Sequence, residues 1–229
     1  MPDWLSYDLG DAQIFSARAY DRLVERCMQE AWPAQPPVLG LGVAVLVLLW
    51  RWPAIGARAL AILAALCCVS MAAWWLPHCY AELHWATGWM ATGFALQAAL
   101  LGAAAVWPGA LERAVWTPAR IAAMVLLAFA LIAMPWLSLP AGSSVWRVEL
   151  VGLMPGPCIA LALALVPLCA SPWRFVLLPL PMGGALLEAV TQASIGRLQW
   201  MLLPFAVAAL AVVLWLMRRA ALGTPRRVT

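Results

Sequence analysis

The sequence predicts an all-α fold, a polytopic transmembrane helix bundle of about seven spans with an N-terminal amphipathic interfacial helix. Three observations predict it. Of 229 residues, 66% are hydrophobic and only 10% charged, whereas a soluble domain carries about 25% charged residues on its surface. The charges leave apolar stretches between them of about 20 residues, the length that crosses roughly 30 Å of hydrocarbon. The arginines also favour alternate ends of those stretches, as retention of positive charge in the cytoplasm requires.

The first span is AWPAQPPVLGLGVAVLVLLW, between Glu30 and Arg51, with its start near Pro36 or Pro37. The second covers residues 59–77, the third 85–106 and the fourth 121–139. A fifth lies between Glu149 and Arg174 and is interrupted by Pro155, Pro157 and Pro167. The sixth, 175–196, contains Pro179, Pro181, the pair Gly183–Gly184 and one charge, Glu188; it either crosses fully or re-enters. The seventh is LQWMLLPFAVAALAVVLWLM, 198–217, closed by Arg218 and Arg219. Residues 1–35 then form an extracytoplasmic segment, 36–217 the bundle and 218–229 a basic cytoplasmic tail.

All 14 basic residues are arginine, a usage that fits a GC-rich bacterial coding bias. With the tail inside and seven spans, the N-terminus lies outside, and nine arginines fall inside against five outside. The expected location is therefore a bacterial inner membrane, with the N-terminus periplasmic and the C-terminus cytoplasmic. The scattering of arginines through short loops argues against nucleic acid. The first thirty residues are polar and mixed in charge, unlike a cleavable signal peptide, so the first span is expected to direct insertion.

From Asp11, a plausible N-cap, to Glu30, apolar residues recur at helical spacing as Tyr20, Leu23, Val24, Cys27 and Met28. The opposite face holds Arg18, Asp21, Arg22, Glu25 and Arg26. Such a helix lies on the membrane surface or docks on the bundle. Many of the 15 tryptophans fall at span ends, where interfacial belts favour the ring. The six cysteines sit mostly in apolar runs and read as small buried hydrophobes, with no structural disulfide expected.

The richest polar cluster is PHCYAELHW, between the second and third spans, with His78, Cys79, Glu82 and His84. Imidazole, thiolate and carboxylate suit zinc or copper, but only His78 and Glu82 share a helix face. Polar residues meeting lipid headgroups are the simpler reading. Cys67 and Cys68 lie eleven and ten residues before His78, at another depth. Haem would need histidines within facing spans, and a quinone site, being mostly apolar, stays open.

Glu188 is the one carboxylate inside a span, and such a residue is a functional candidate because its burial in hydrocarbon is costly. Thr191 and Gln192 are its neighbours, and Gln97 in the third span is within reach, so a proton-coupled site is one reading. The plainer one places Glu188 at the outer end of its helix, paired with Arg197. The proline- and glycine-broken fifth and sixth spans resemble the discontinuous helices of transporters. No nucleophile elbow, zinc-protease motif or phosphate loop occurs, and with no lysine a retinal Schiff base is excluded. No enzyme activity and no cofactor are expected; bound lipid is.

AYDRLVERCMQEAWPAQ, YAELHWATGWMATGFALQAALL, GLMPGPCIALALAL and LPMGGALLEAVTQASIGRLQWMLL, in this order, resemble segments of domain-of-unknown-function family 6064. That resemblance implies a polytopic bacterial membrane protein and no established activity. Of two functions the first is the expected one and the second its alternative. A non-catalytic subunit or anchor of a membrane complex, partnered by other membrane or extracytoplasmic subunits, fits a bundle with few buried polar groups. A transporter or channel for a small solute, protons or a metal fits the broken helices and Glu188.

Overall fold

The computed structural model describes residues 17–81, 86–111, 118–137 and 150–194. Among these residues the chain is helical, with no strand and a single isolated bridge between Leu111 and Cys169. Proline sets most of the helix starts, because its fixed φ and missing N–H suit the first turn. Helix α1 is Ala17–Glu30. A short 3-10 turn leads into α2, Trp32–Arg51. Trp52, kept out of the helical region because a proline follows it, separates α2 from α3, Pro53–Tyr80. Then come α4, Thr87–Val106, α5, Pro118–Trp136, α6, Pro155–Leu168, and α7, Ser171–Ser194.

Two helices widen to a π form, α3 over Met71–Tyr80 and α5 over Phe129–Ala133. Each contains or precedes a proline, Pro77 and Pro135, whose ring would clash with the carbonyl four residues back in a regular helix. The extra residue per turn relieves that clash.

Five helices, α2, α3, α4, α5 and α7, are long and apolar enough to cross a membrane. The second runs 28 residues and starts at Pro53, six residues before the sequence expectation, since Arg58 stays exposed on its first turns. The sixth expected span is α7, at 24 residues long enough to cross. The fifth differs. Helix α6 is an apolar segment of 14 residues, about 21 Å at 1.5 Å per residue and short of a bilayer. Every residue from Val151 to Cys169 is buried, so α6 is the centre of the bundle and not a lipid-facing span. Its alternating Ala160, Ala162 and Ala164 let neighbouring backbones come close. The seventh expected span, 198–217, and the tail lie outside the described residues.

At one end, arginine side chains close the helices. Arg120 of α5 is buried and donates from Nε to the Leu49 carbonyl at 2.8 Å and from its terminal nitrogen to the Trp50 carbonyl. It thereby satisfies carbonyls that the C-terminus of α2 leaves without intrahelical partners. Arg174 donates to the Cys169 carbonyl at 2.6 Å, and the Ala170 amide to the Ala110 carbonyl at 2.7 Å, tying α4 to the α6–α7 turn. Gly152, at φ +81°, turns the chain into α6 at the opposite end, against Cys67 and Val38.

Helix α1 covers that opposite end. Tyr20, Val24, Cys27 and Met28 are buried, while Arg18, Arg22 and Arg26 lie on the other side. Cys27 and Cys79 form a disulfide, with their Cα atoms 6.3 Å apart, which corrects the expectation of none. Each cysteine reads alone as an apolar residue, but the buried face of α1 lies against the end of α3, and a chain separation of 52 residues returns to the same place. The other four cysteines form no disulfide and are buried.

Candidate functional site

The polar residues of α7 follow from its register. Glu188 and Gln192 are one turn apart on the buried face, 7% and 0% exposed, whereas Thr191 points outward and returns its hydroxyl to the Leu187 carbonyl at 2.8 Å. Gln192 Nε2 donates to Glu188 Oε1 at 2.8 Å and to the Tyr20 hydroxyl at 3.0 Å. Tyr20 belongs to α1, so the covering helix is joined to the carboxylate by one amide. Thr191 drops out of the expected set, and Tyr20, absent from it, enters. No sequence signal marked Tyr20 beyond its place on the apolar face of α1.

Gln97 is buried on α4. It does not bond to Glu188; its Nε2 reaches the Leu177 carbonyl at 3.5 Å, a long contact, and its Oε1 finds no partner among the described residues. Gln97 and Glu188 nonetheless share a cavity of about 240 Å³ bounded by α3, α4, α6 and α7. Its walls are mainly apolar, with Met90, Phe94, Ile159 and Leu180 among them, and Cys68 and Cys158 also belong to the lining. Gly93 and Gly183 also line it, and a Cβ at either would meet open space. Gly183 and Leu187 are exposed on the outer surface of the bundle, so the cavity opens sideways between α4 and α7.

Of the candidate metal ligands His78, Cys79, Glu82 and His84, only His78 and Cys79 fall among the described residues, where no group of three or more metal-ligating side chains occurs. Cys79 is committed to its disulfide and so offers no thiolate. His78 lies 3.3 Å from Glu30 Oε2 and stacks on Trp74 at 5.9 Å. Glu82 and His84 lie outside the described residues, as does Arg197, the expected partner of Glu188. Glu30 also accepts from Arg26 at 3.2 Å, and that hydrogen bond first, then the one with His78, holds its carboxyl below the usual carboxylate range.

Five apolar helices of bilayer length around a buried central one define the class: a helical membrane protein, here with an internal cavity that carries a carboxylate and an amide. The chain matches no protein-family model, no curated protein and no solved structure.

Proposed function

We propose that this chain is a multi-pass protein of a bacterial inner membrane, related to domain-of-unknown-function family 6064, that carries a small solute in exchange for protons at Glu188. The observation that carries the reading is the cavity that reaches both Glu188 and Gln97 from the side of the bundle. A carboxylate is costly in hydrocarbon and is kept there for ion or substrate traffic. Counting the buried α6 as one crossing from end to end of the bundle and 198–217 as a seventh gives an N-out, C-in chain. The Cys27–Cys79 disulfide supports that orientation, because such bonds persist in oxidising compartments such as the periplasm. The arginines at the far end of the bundle agree with it.

The subunit or anchor reading started from the scarcity of buried polar groups. Thr87, Gln97, Arg120, Glu188 and Gln192 are all buried, and three of them form the polar points of one cavity and its hydrogen-bond chain, so the premise weakens. That reading predicts stoichiometric copurification with other membrane or exported proteins. The transport reading predicts a different result. Proteoliposomes loaded with a pH-sensitive dye are challenged with panels of organic cations, organic anions and neutral solutes. At least one solute should change the lumenal pH beyond empty liposomes, and Glu188→Gln, still folded, should lose the response. No response to any panel would remove transport.

A further inference from the structure

We infer that the thiols of Cys67 on α3 and Cys158 on α6 form a binding site for a soft metal ion that takes two ligands in line, mercury(II) in particular. The site is separate from Glu188 and stands or falls independently of the transport reading. Both sulfurs pack against one residue, Gly152, where the chain turns into α6. Its amide donates to Cys158 Sγ at 3.1 Å, and a Cβ built on it would lie 3.3 Å from Cys67 Sγ. The two thiols are within hydrogen-bond reach of each other, and both are buried. Neither is spent on a disulfide. Two helices far apart in sequence thus bring sulfur to one point.

The donor set selects the ion. Thiolate sulfur is a soft ligand and favours soft ions. Among the described residues no group of three or more metal ligands occurs, so zinc, which takes four, is not served. Cys68, about 100° round the helix from Cys67, makes no such group with the pair. Linear binding needs the pair and nothing more. Charge then separates the soft ions. Copper(I) or silver(I) between two thiolates leaves a negative complex, whereas mercury(II) leaves a neutral one. A net charge in this apolar interior is costly. Among the described residues the titratable groups acting on Cys158 are Cys67 and Cys68, neither of them a cation that could offset it. Cys158 also belongs to the lining of the cavity that opens sideways between α4 and α7. Mercury(II) dissolves in lipid as its neutral chloride, so that opening is its route. Binding is a ligand exchange without redox: two Hg–Cl bonds break, two Hg–S bonds form, and two thiol protons and two chloride ions leave.

The test equilibrates the full chain, unreduced and in phosphatidylcholine nanodiscs, with one equivalent of mercury(II) chloride and glutathione as a competing thiol. Two thiols already placed together outbid two separate ones, because the second bond forms within the molecule. One mercury per chain should stay with the discs, and two protons should be released on binding. X-ray absorption at the mercury edge of the unmutated chain should show two sulfur neighbours in line. Cys67→Ser and Cys158→Ser should each lower retention against glutathione by about a hundredfold or more, since the second bond is then lost. Cys68→Ser and Cys169→Ser, at positions just as buried, should retain the metal. Zinc chloride in place of mercury should not be retained. Mercury at the level of empty discs, a single sulfur neighbour, retained zinc, or loss of mercury in Cys68→Ser but not in Cys67→Ser would overturn the site. The absorption measurement needs no variant, so it decides the matter even where a serine variant fails to fold. Retained mercury without solute flux in liposomes would uphold the site and remove transport; flux with mercury stripped would do the reverse.

Discussion

The Gln192 amide nitrogen stands 2.8 Å from a carboxylate oxygen of Glu188 and 3.0 Å from the Tyr20 hydroxyl, so one side chain joins the cavity acid to the helix that covers it. Gln192→Leu removes both bonds at once and leaves Glu188 with one donor fewer. Hydrogen bonds inside helical membrane bundles are worth about 0.6–2 kcal/mol. The variant should lose about 1–3 kcal/mol in detergent unfolding, and Tyr20→Phe about 0.5–1.5 kcal/mol. Equal stability of Gln192→Leu and the parent would show that the chain of bonds contributes nothing.

The disulfide predicts a thiol count. Denatured without reductant, the oxidised protein should offer four reactive thiols out of six cysteines, and all six after reduction. Cys27→Ser and Cys79→Ser should each release the other partner. Losing the bond should cost about 2–4 kcal/mol, since it closes a long loop of the unfolded chain. Six reactive thiols in unreduced protein would contradict the pairing.

Much of this architecture was legible in the spacing of charges and prolines. Arg51 and Pro53 mark the α2–α3 turn, and Glu188 announces itself as a carboxylate among apolar residues. What could not be read was anything that depends on which helix lies beside which. The pattern of α6 is apolar on every side, and a run of that kind fits a lipid-facing span as well as a central helix; the charge-free stretch between Glu149 and Arg174 is long enough to cross, and its shortening to 14 helical residues appears only in the structure. Cys27 and Cys79 look like ordinary buried residues until α1 is laid across the end of α3. Gln97 was within reach of Glu188 by helix counting, yet the two meet through a shared cavity and not a bond. Thr191 shows the limit from the other side, because its position one residue from Gln192 turns it outward.

Arg120 is the second buried charge with a definite structural duty. Its guanidinium holds the Leu49 and Trp50 carbonyls at the end of α2. Arg120→Met keeps the length and apolar stem of the side chain and removes the donors, so those carbonyls lose charge-assisted partners. The expected loss is about 1.5–3 kcal/mol in thermal or denaturant unfolding, with Arg120→Lys recovering part of it. A full-strength Arg120→Met protein would mean that water or lipid serves these carbonyls equally well.

Glu30 sets a pH dependence whose sign follows from its partners. The Arg26 hydrogen bond, followed by the one with His78, lowers its carboxyl in the folded protein. A depressed carboxylate adds stability above its unfolded value, roughly 4.3, and loses it as the pH falls through the lower folded value. The effect is confined to the acid limb and is small, since the group is exposed. Melting temperatures of the parent and Glu30→Gln should run parallel from pH 5 to 7 and converge below about pH 4. Curves parallel through the whole acid range would show that the pairs do not form in solution.

The central claim is that Glu188 faces a cavity open to the side of the bundle, and a hydrophobic carbodiimide tests it most directly. Such a reagent dissolves in the bilayer and modifies carboxyl groups that it can reach there. Peptide mass analysis after treatment in nanodiscs should find the adduct on Glu188, and Gly183→Phe, which fills the opening, should prevent it. An unmodified Glu188 in the parent protein, or equal modification in Gly183→Phe, would contradict the account.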